Sequence, residues 1–162
     1  MWRMCILLLL SGSAVESLYA QSDVRWLIVN PVSLNFSSAD PDTGVALASS
    51  TVTWRTRFGD TGRTWRLSVQ AASVRVSNCD KIPPSAFRIA CSAVSVAKHG
   101  NGVCASPVPL STSPQVIASG SQGDHNYNST AEIQVQFLDS WRYPAATAPA
   151  CSLTLSYTLE AL

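Results

Sequence analysis

The chain has 162 residues, with 11 lysines and arginines against 10 acidic residues and a formal net charge of +1. Its basic residues are scattered singly, so the positive patch typical of proteins that bind nucleic acids is missing. We therefore expect no nucleic-acid partner.

The first 20 residues have the pattern of a secretory signal peptide. Arg3 is followed by a short apolar run at residues 5–10 and by small residues up to Ala20. That run is much shorter than the ~20 residues of a membrane-spanning helix. We expect cleavage after Ala20, export to the cell surface or beyond (through the periplasm in a Gram-negative host), and no insertion into a membrane. Residues 21–162 would then form a single domain.

The mature chain begins with an apolar arm, VRWLIV, at residues 24–29. Simple alternation places Val24, Trp26 and Ile28 on one face and Leu27 and Val29 on the other, so both faces need to be covered. Pro31 cannot donate to a ladder and should separate this arm from the next strand. Two placements stay open: an edge strand of the chain's own sandwich, or a strand added to a neighbouring subunit.

Strand periodicity recurs along the rest of the chain. Apolar and polar residues alternate near positions 32–36, 52–55, 65–69 and 133–137, and the longest alternation runs from Cys151 to Glu160. A period of two with one polar face is typical of antiparallel sheets. With turn-forming segments between the runs, this pattern predicts an all-β fold. We expect a single antiparallel β-sandwich of about seven to nine strands, immunoglobulin-like or pilin-like, with a closed barrel as the alternative.

One turn is predicted more specifically. The segment Gly-Asp-Thr-Gly at residues 59–62 separates two strand-like runs, 52–58 and 64–71, and predicts a hairpin between them. Trp54 and Trp65 would approach each other if they share a face of that hairpin, and we expect both in the core.

Four cysteines remain after removal of the leader, and an even number in an exported chain predicts two disulfides. Spacing alone leaves the pairing open. We prefer Cys79 with Cys91, which would bridge a local excursion, and Cys104 with Cys151, which would tie the last strand to the middle of the chain. A zinc site is not expected, because the sequence lacks a Cys-x-x-Cys motif.

Catalytic and metal-binding patterns are weak. The chain has no Gly-x-Ser-x-Gly motif, and we expect no acid to orient His99 or His125, since Asp124 is the direct neighbour of His125 in sequence. Asp40 and Asp42 are a weak calcium candidate, because the glycine that follows is one position early for an EF-hand loop. We expect no enzymatic activity, no cofactor and no bound metal.

Exposed aromatic side chains could bind a ligand. Trp141 and Tyr143, just before Pro144, are the best candidates for exposed contacts with a carbohydrate. The other tryptophans of the mature chain lie mostly in strand-like patterns, where packing between two sheets is the simpler role.

Parts of the sequence resemble two kinds of bacterial surface protein. The run Thr-Trp-Arg-Leu-Ser-Val-Gln-Ala at residues 64–71, followed by Ile-Pro-Pro-Ser at residues 82–85, resembles the Trp-x-Leu segment of bacterial WxL surface domains. That resemblance implies attachment to cell-wall peptidoglycan. The exported sandwich with an alternating last strand is also similar in outline to bacterial fimbrial (pilin-type) subunits, which implies assembly by strand donation.

Two functions follow from the sequence. In the first, the protein is a structural subunit of a bacterial cell-surface filament or coat, associating with itself or with other surface proteins through the arm at residues 24–29. In the second, it is a monomeric module for cell-wall polysaccharide, with Trp141 and Tyr143 as contacts. We favour the first, because binding modules usually accompany a catalytic domain and we expect one domain here.

Overall fold

A computed structural model describes residues 24–31, 33–36, 46–57, 62–138 and 151–162. These residues form ten β-strands and one short 3₁₀ helix. The strands are β1 Val24–Asn30, β2 Ser33–Phe36, β3 Ala46–Thr56, β4 Thr64–Ala71, β5 Phe87–Ser95, β6 Asn101–Cys104, β7 Val108–Pro109, β8 Gln115–Ser121, β9 Ser129–Phe137 and β10 Cys151–Ala161, and the helix is Pro84–Ala86. Within the described ranges, no helix has the length and apolar character needed to cross a membrane.

The strands make two five-stranded antiparallel sheets. Sheet 1 has the order β1-β3-β9-β5-β7, and sheet 2 has the order β2-β10-β4-β8-β6. The prediction of an all-β antiparallel sandwich is confirmed. The described residues form ten strands if the two-residue β7 is counted. Without β7 there are nine, which agrees with the expected seven to nine.

The chain changes sheets at Pro31. β1 pairs with β3 in sheet 1, and β2, which begins two residues after the proline, pairs with β10 in sheet 2. Because proline has no amide hydrogen, it cannot continue the ladder of the preceding strand. β1 and β2 therefore lie on the same lateral side of the sandwich, whereas β5 and β6 meet on the opposite side.

The hairpin predicted around residues 59–62 is wrong. β3 lies between β1 and β9 in sheet 1, while β4 lies between β10 and β8 in sheet 2, so the intervening segment connects the two sheets. Both strands carry an apolar face, and each face is buried against the opposite sheet. Trp54 and Trp65, each 1% exposed, approach as expected, but they do so across the core, with ring centroids 4.9 Å apart.

The core lies between the sheets and follows the predicted alternation. On β10, five alternate side chains are between 1% and 4% exposed: Cys151, Leu153, Leu155, Tyr157 and Leu159. On β9, Ile133 and Val135 are fully buried. Period-two patterning thus identified the inward face of these strands residue by residue.

Two disulfides form, as predicted, but the preferred pairing is wrong. Cys79 is bonded to Cys151, and Cys91 to Cys104. The segment before the 3₁₀ helix pairs with the start of β10 through Ser77 and Ser152, which places Cys79 beside Cys151. Cys91 on β5 meets Cys104 on β6, where the two sheets approach each other. The disulfides indicate an oxidising environment.

Candidate functional site

The apolar arm is the edge strand of the chain's own sheet 1. From Trp26 to Asn30, each residue of β1 lies opposite a residue of β3, and β3 is the only strand paired with β1 among the described strands. One side of β1 is therefore a sheet edge, with main-chain groups directed away from β3.

A register shift between Val24 and Trp26 decides which side chains of β1 face the core. Val24 is 8% exposed and belongs to the core, and Leu27 and Val29 pack against it. The expected face shared by Val24, Trp26 and Ile28 is therefore wrong, because the extra residue of a bulge reverses the alternation. Trp26 and Ile28 lie on the outer face, where Ile28 is 52% exposed.

Trp26 begins a polar and aromatic row across the outer face of sheet 1. Its cross-strand partner is Arg55, whose guanidinium carbon lies 5.7 Å from the centroid of the Trp26 ring. The Nε and Nη2 groups of Arg55 donate to Oδ1 of Asn128 at 3.0 and 2.7 Å. This row holds Trp26 in place by cation-π attraction, which contributes about 0.5–1 kcal/mol at an exposed site.

In the next row of sheet 1, Ile28 has no apolar residue opposite it on the adjacent strands. Ile28 lies opposite Thr53, and Thr53 lies opposite Thr130. An exposed isoleucine at the end of a row of threonines has its apolar surface turned to solvent at the sheet edge. That surface is what another strand could cover.

The four lateral edges differ in length. β1 has seven residues, β2 and β6 have four each, and β7 has two. Proteins commonly protect themselves from edge-to-edge pairing with short edge strands, charges, bulges or prolines. β1 has Arg25 and its bulge at one end and Pro31 after the other, but residues 26–29 are apolar. Within the described part of the chain, β1 is the edge best suited to receive another strand.

The two histidines lie in adjacent loops at one end of the sandwich. The amide of Asp124 donates to the carbonyl of Lys98, which brings the loop of His125 beside that of His99. Asp124 and His125 do approach, with Oδ1 3.7 Å from Nδ1, so the expectation that these sequence neighbours would not face each other is wrong.

The carboxylate of Asp124 is engaged mainly by its own loop. Its Oδ1 accepts hydrogen bonds from the backbone and side-chain nitrogens of Asn126 at 2.9 and 3.1 Å. The backbone bond is the main cause that lowers the pKa of Asp124, with smaller contributions from His125 and His99. Among the described residues, no group of three or more histidines, cysteines and acids is placed to hold a metal ion.

Several predicted sites lie outside the described residues. These are the signal peptide at residues 1–20, the calcium candidates Asp40 and Asp42, and the ligand candidates Trp141 and Tyr143. They stay predictions.

Sequence reasoning missed the roles of Arg55 and Asn128. The signal was present for Arg55, because the neighbour of a core residue such as Trp54 must point outwards on a strand. It was absent for Asn128, whose position depends on the pairing of β3 with β9.

Comparison with known proteins adds no identification: no family model, no curated protein and no solved structure matches this chain.

Proposed function

We propose that this protein is a non-enzymatic, exported structural protein, a subunit of a bacterial cell-surface filament or coat that associates with other copies through its sheet edges. The observation that carries the proposal is β1, a seven-residue edge strand with Ile28 52% exposed on its outer face. Strand addition at such an edge gains main-chain hydrogen bonds along the strand and contacts from alternate side chains.

An edge contact is better supported than donation of the arm to a neighbour. Val24, Leu27 and Val29 belong to or pack against the core of their own chain, so donating β1 would expose the apolar surface beneath them. Each fully buried aliphatic side chain contributes about 1.5–3 kcal/mol. Covering the outer edge of β1 has no such cost.

A filament or coat also needs a second contact surface, because a two-fold contact alone closes into a dimer. Val103 on β6 is 66% exposed and lies on the lateral side opposite to β1. The sandwich therefore has an exposed apolar residue on an edge strand at each side. Together with the two disulfides, which suit an exported chain, this arrangement favours a structural role.

Size-exclusion chromatography and negative-stain electron microscopy of residues 21–162 test the proposal. We expect oligomers whose size grows with protein concentration, and filaments or ordered arrays in the images. A chain that stays monomeric or dimeric at millimolar concentration would contradict it.

One observation favours a second candidate, a module for cell-wall polysaccharide. The row of Trp26, Arg55 and Asn128 presents an aromatic ring beside polar groups on an outer sheet face, and aromatic rings with a polar neighbour suit sugar binding. Co-sedimentation with insoluble peptidoglycan would show binding that Trp26→Ala or Trp141→Ala removes. If the wild type and both variants all stay in the supernatant, this candidate is excluded.

A further inference from the structure

We infer that the disulfide between Cys91 and Cys104 is a redox-sensitive link between the two sheets, which small thiols open while the disulfide between Cys79 and Cys151 stays closed and the sandwich stays folded. The inference goes beyond the proposed structural role and does not depend on it. It assigns a site of covalent modification to the lateral side of the sandwich where β5 and β6 meet.

The bond between Cys91 and Cys104 lies on an open side of the sandwich. Cys91 belongs to β5, whose pairing with β7 is limited to Arg88 and Ile89. Cys104 is the last residue of β6, which pairs only with β8 among the described strands. Both cysteines are only half-buried, so a small thiol can reach their sulfur atoms from solvent.

The second disulfide is protected by its surroundings. Cys151 is 1% exposed and belongs to the core, where it lies opposite Phe36 of β2. On the other side of β10, Ser152 exchanges two backbone hydrogen bonds of 3.0 Å with Ser77. Cys79 is half-buried, but attack on its sulfur would have to release the thiolate of Cys151 inside the core. Burial disfavours that charge, so Cys151 is a poor leaving group.

The reductant supplies two electrons through two thiol groups. The first thiolate attacks one sulfur atom of the bond between Cys91 and Cys104, which forms a mixed disulfide and releases the other cysteine as a thiolate. The second thiolate attacks the reductant's sulfur in that mixed disulfide and releases the first cysteine. Both cysteine thiolates take up protons, and the two thiol groups of the reductant end as one disulfide.

Other contacts keep β6 in sheet 2 when this bond opens. The amide of Asn101 donates to the hydroxyl of Ser121, and the amide of Ser121 donates to the side-chain carbonyl of Asn101, both at 3.1 Å. The Nε1 group of Trp65 donates to the backbone carbonyl of Asn101 at 3.2 Å. All three contacts lie within sheet 2, so none depends on the bond to Cys91. Reduction therefore removes the covalent link to β5 and leaves the pairing of β6 with β8.

Reduction of the folded protein with thiol trapping tests the order of opening. Residues 21–162 are incubated with dithiothreitol, samples are quenched with N-ethylmaleimide, and peptide mapping by mass spectrometry gives the labelling rate of each cysteine. We expect Cys91 and Cys104 to be labelled together, about tenfold faster than Cys79 and Cys151, because access and the leaving group control the exchange rate. The matched controls are two double variants. Cys91→Ala with Cys104→Ala should lack the fast labelling, and Cys79→Ala with Cys151→Ala should keep it.

Hydrogen exchange and near-ultraviolet circular dichroism of the form with two free thiols test the remaining claims. We expect the signal of the core tryptophans to persist, the amides of β6 to exchange faster than in the oxidised protein, and those of β10 to exchange at the same rate. Equal labelling of all four cysteines, or earlier labelling of Cys79 and Cys151, would overturn the inference. Loss of the tryptophan signal when the bond between Cys91 and Cys104 opens, or unchanged exchange in β6, would overturn it as well.

Discussion

Trp65 joins the two sheets and two strands of sheet 2. Its ring packs against Trp54 across the core, and its Nε1 group donates to the carbonyls of Asn101 and Ser121 at 3.2 and 3.0 Å. Gly102 lies directly beside the ring, since a Cβ there would be 2.7 Å from its Cζ2 atom. The tryptophan thus fills the space that the glycine leaves.

Replacing Trp65 by phenylalanine should lower the free energy of unfolding by about 2–3 kcal/mol, because the smaller ring leaves a gap and removes the shared N–H donor. Guanidinium denaturation would measure it. The control is Arg66→Ala on the same strand, where an exposed contact of 3.9 Å to Glu160 should contribute less than about 1 kcal/mol. Equal losses in the two variants would contradict this account.

Tyr157 is the buried titratable group of β10. It is 4% exposed, and its hydroxyl lies beside that of Ser50, which donates to the carbonyl of Pro31 at 3.0 Å and keeps lone pairs that can accept from Tyr157. Burial raises the pKa of Tyr157 well above its ordinary value of 10.0, and Ser50 lowers it by a smaller amount.

This raised pKa predicts alkaline sensitivity. Below pH 10 the folded and the unfolded protein both keep the Tyr157 phenol proton, so this residue gives stability no pH dependence. Above pH 10 the unfolded chain releases the proton, whereas the folded chain keeps it. Stability then falls with pH, by up to about 1.4 kcal/mol per unit from this residue. Urea denaturation between pH 8 and pH 11 should show a shallower fall for Tyr157→Phe than for wild type, and an unchanged fall for Tyr127→Phe, whose side chain is exposed. Identical slopes in all three proteins would refute the assignment.

At the scale of elements, alternation predicted the inward residues of β9 and β10 because it depends only on neighbours along one strand. It failed at β1, where the bulge between Val24 and Trp26 reverses the phase. It also could not predict that β3 and β4 join different sheets, since a short connection fits either a hairpin or a crossing between sheets. The cysteine pairing follows from those sheet assignments, so the spacing of the cysteines in the sequence could not predict it.

The two disulfides should differ in their contribution to stability. Cys79 and Cys151 are 72 residues apart in sequence, and Cys91 and Cys104 are 13 apart. The chain-entropy relation gives about 4 kcal/mol for the longer loop and about 3 kcal/mol for the shorter one. The double variant Cys79→Ala with Cys151→Ala should therefore lose about 1.5 kcal/mol more than Cys91→Ala with Cys104→Ala in urea denaturation. The reverse order would show that the loop-closure argument does not govern this fold.

At the scale of the whole molecule, composition and periodicity sufficed for an all-β sandwich with two disulfides. The candidate site was predicted in part: the arm was singled out as apolar on both faces, but its outward residues, Trp26 and Ile28, and the partners of Trp26 depend on pairing with β3. Strand order is a property of contacts between residues far apart in sequence, and no local pattern encodes it. Among the described strands, β1 is therefore a long sheet edge that only the folded chain reveals.

Hydrogen exchange of the β1 backbone amides, followed as protein concentration rises, is the most direct measurement of whether this edge is the contact surface. In the monomer, the amides that point away from β3 should exchange rapidly. We expect association to protect those amides from exchange, because an added strand hydrogen-bonds to them. Assembled protein in which the outward amides of β1 exchange as fast as in the monomer would contradict the central claim.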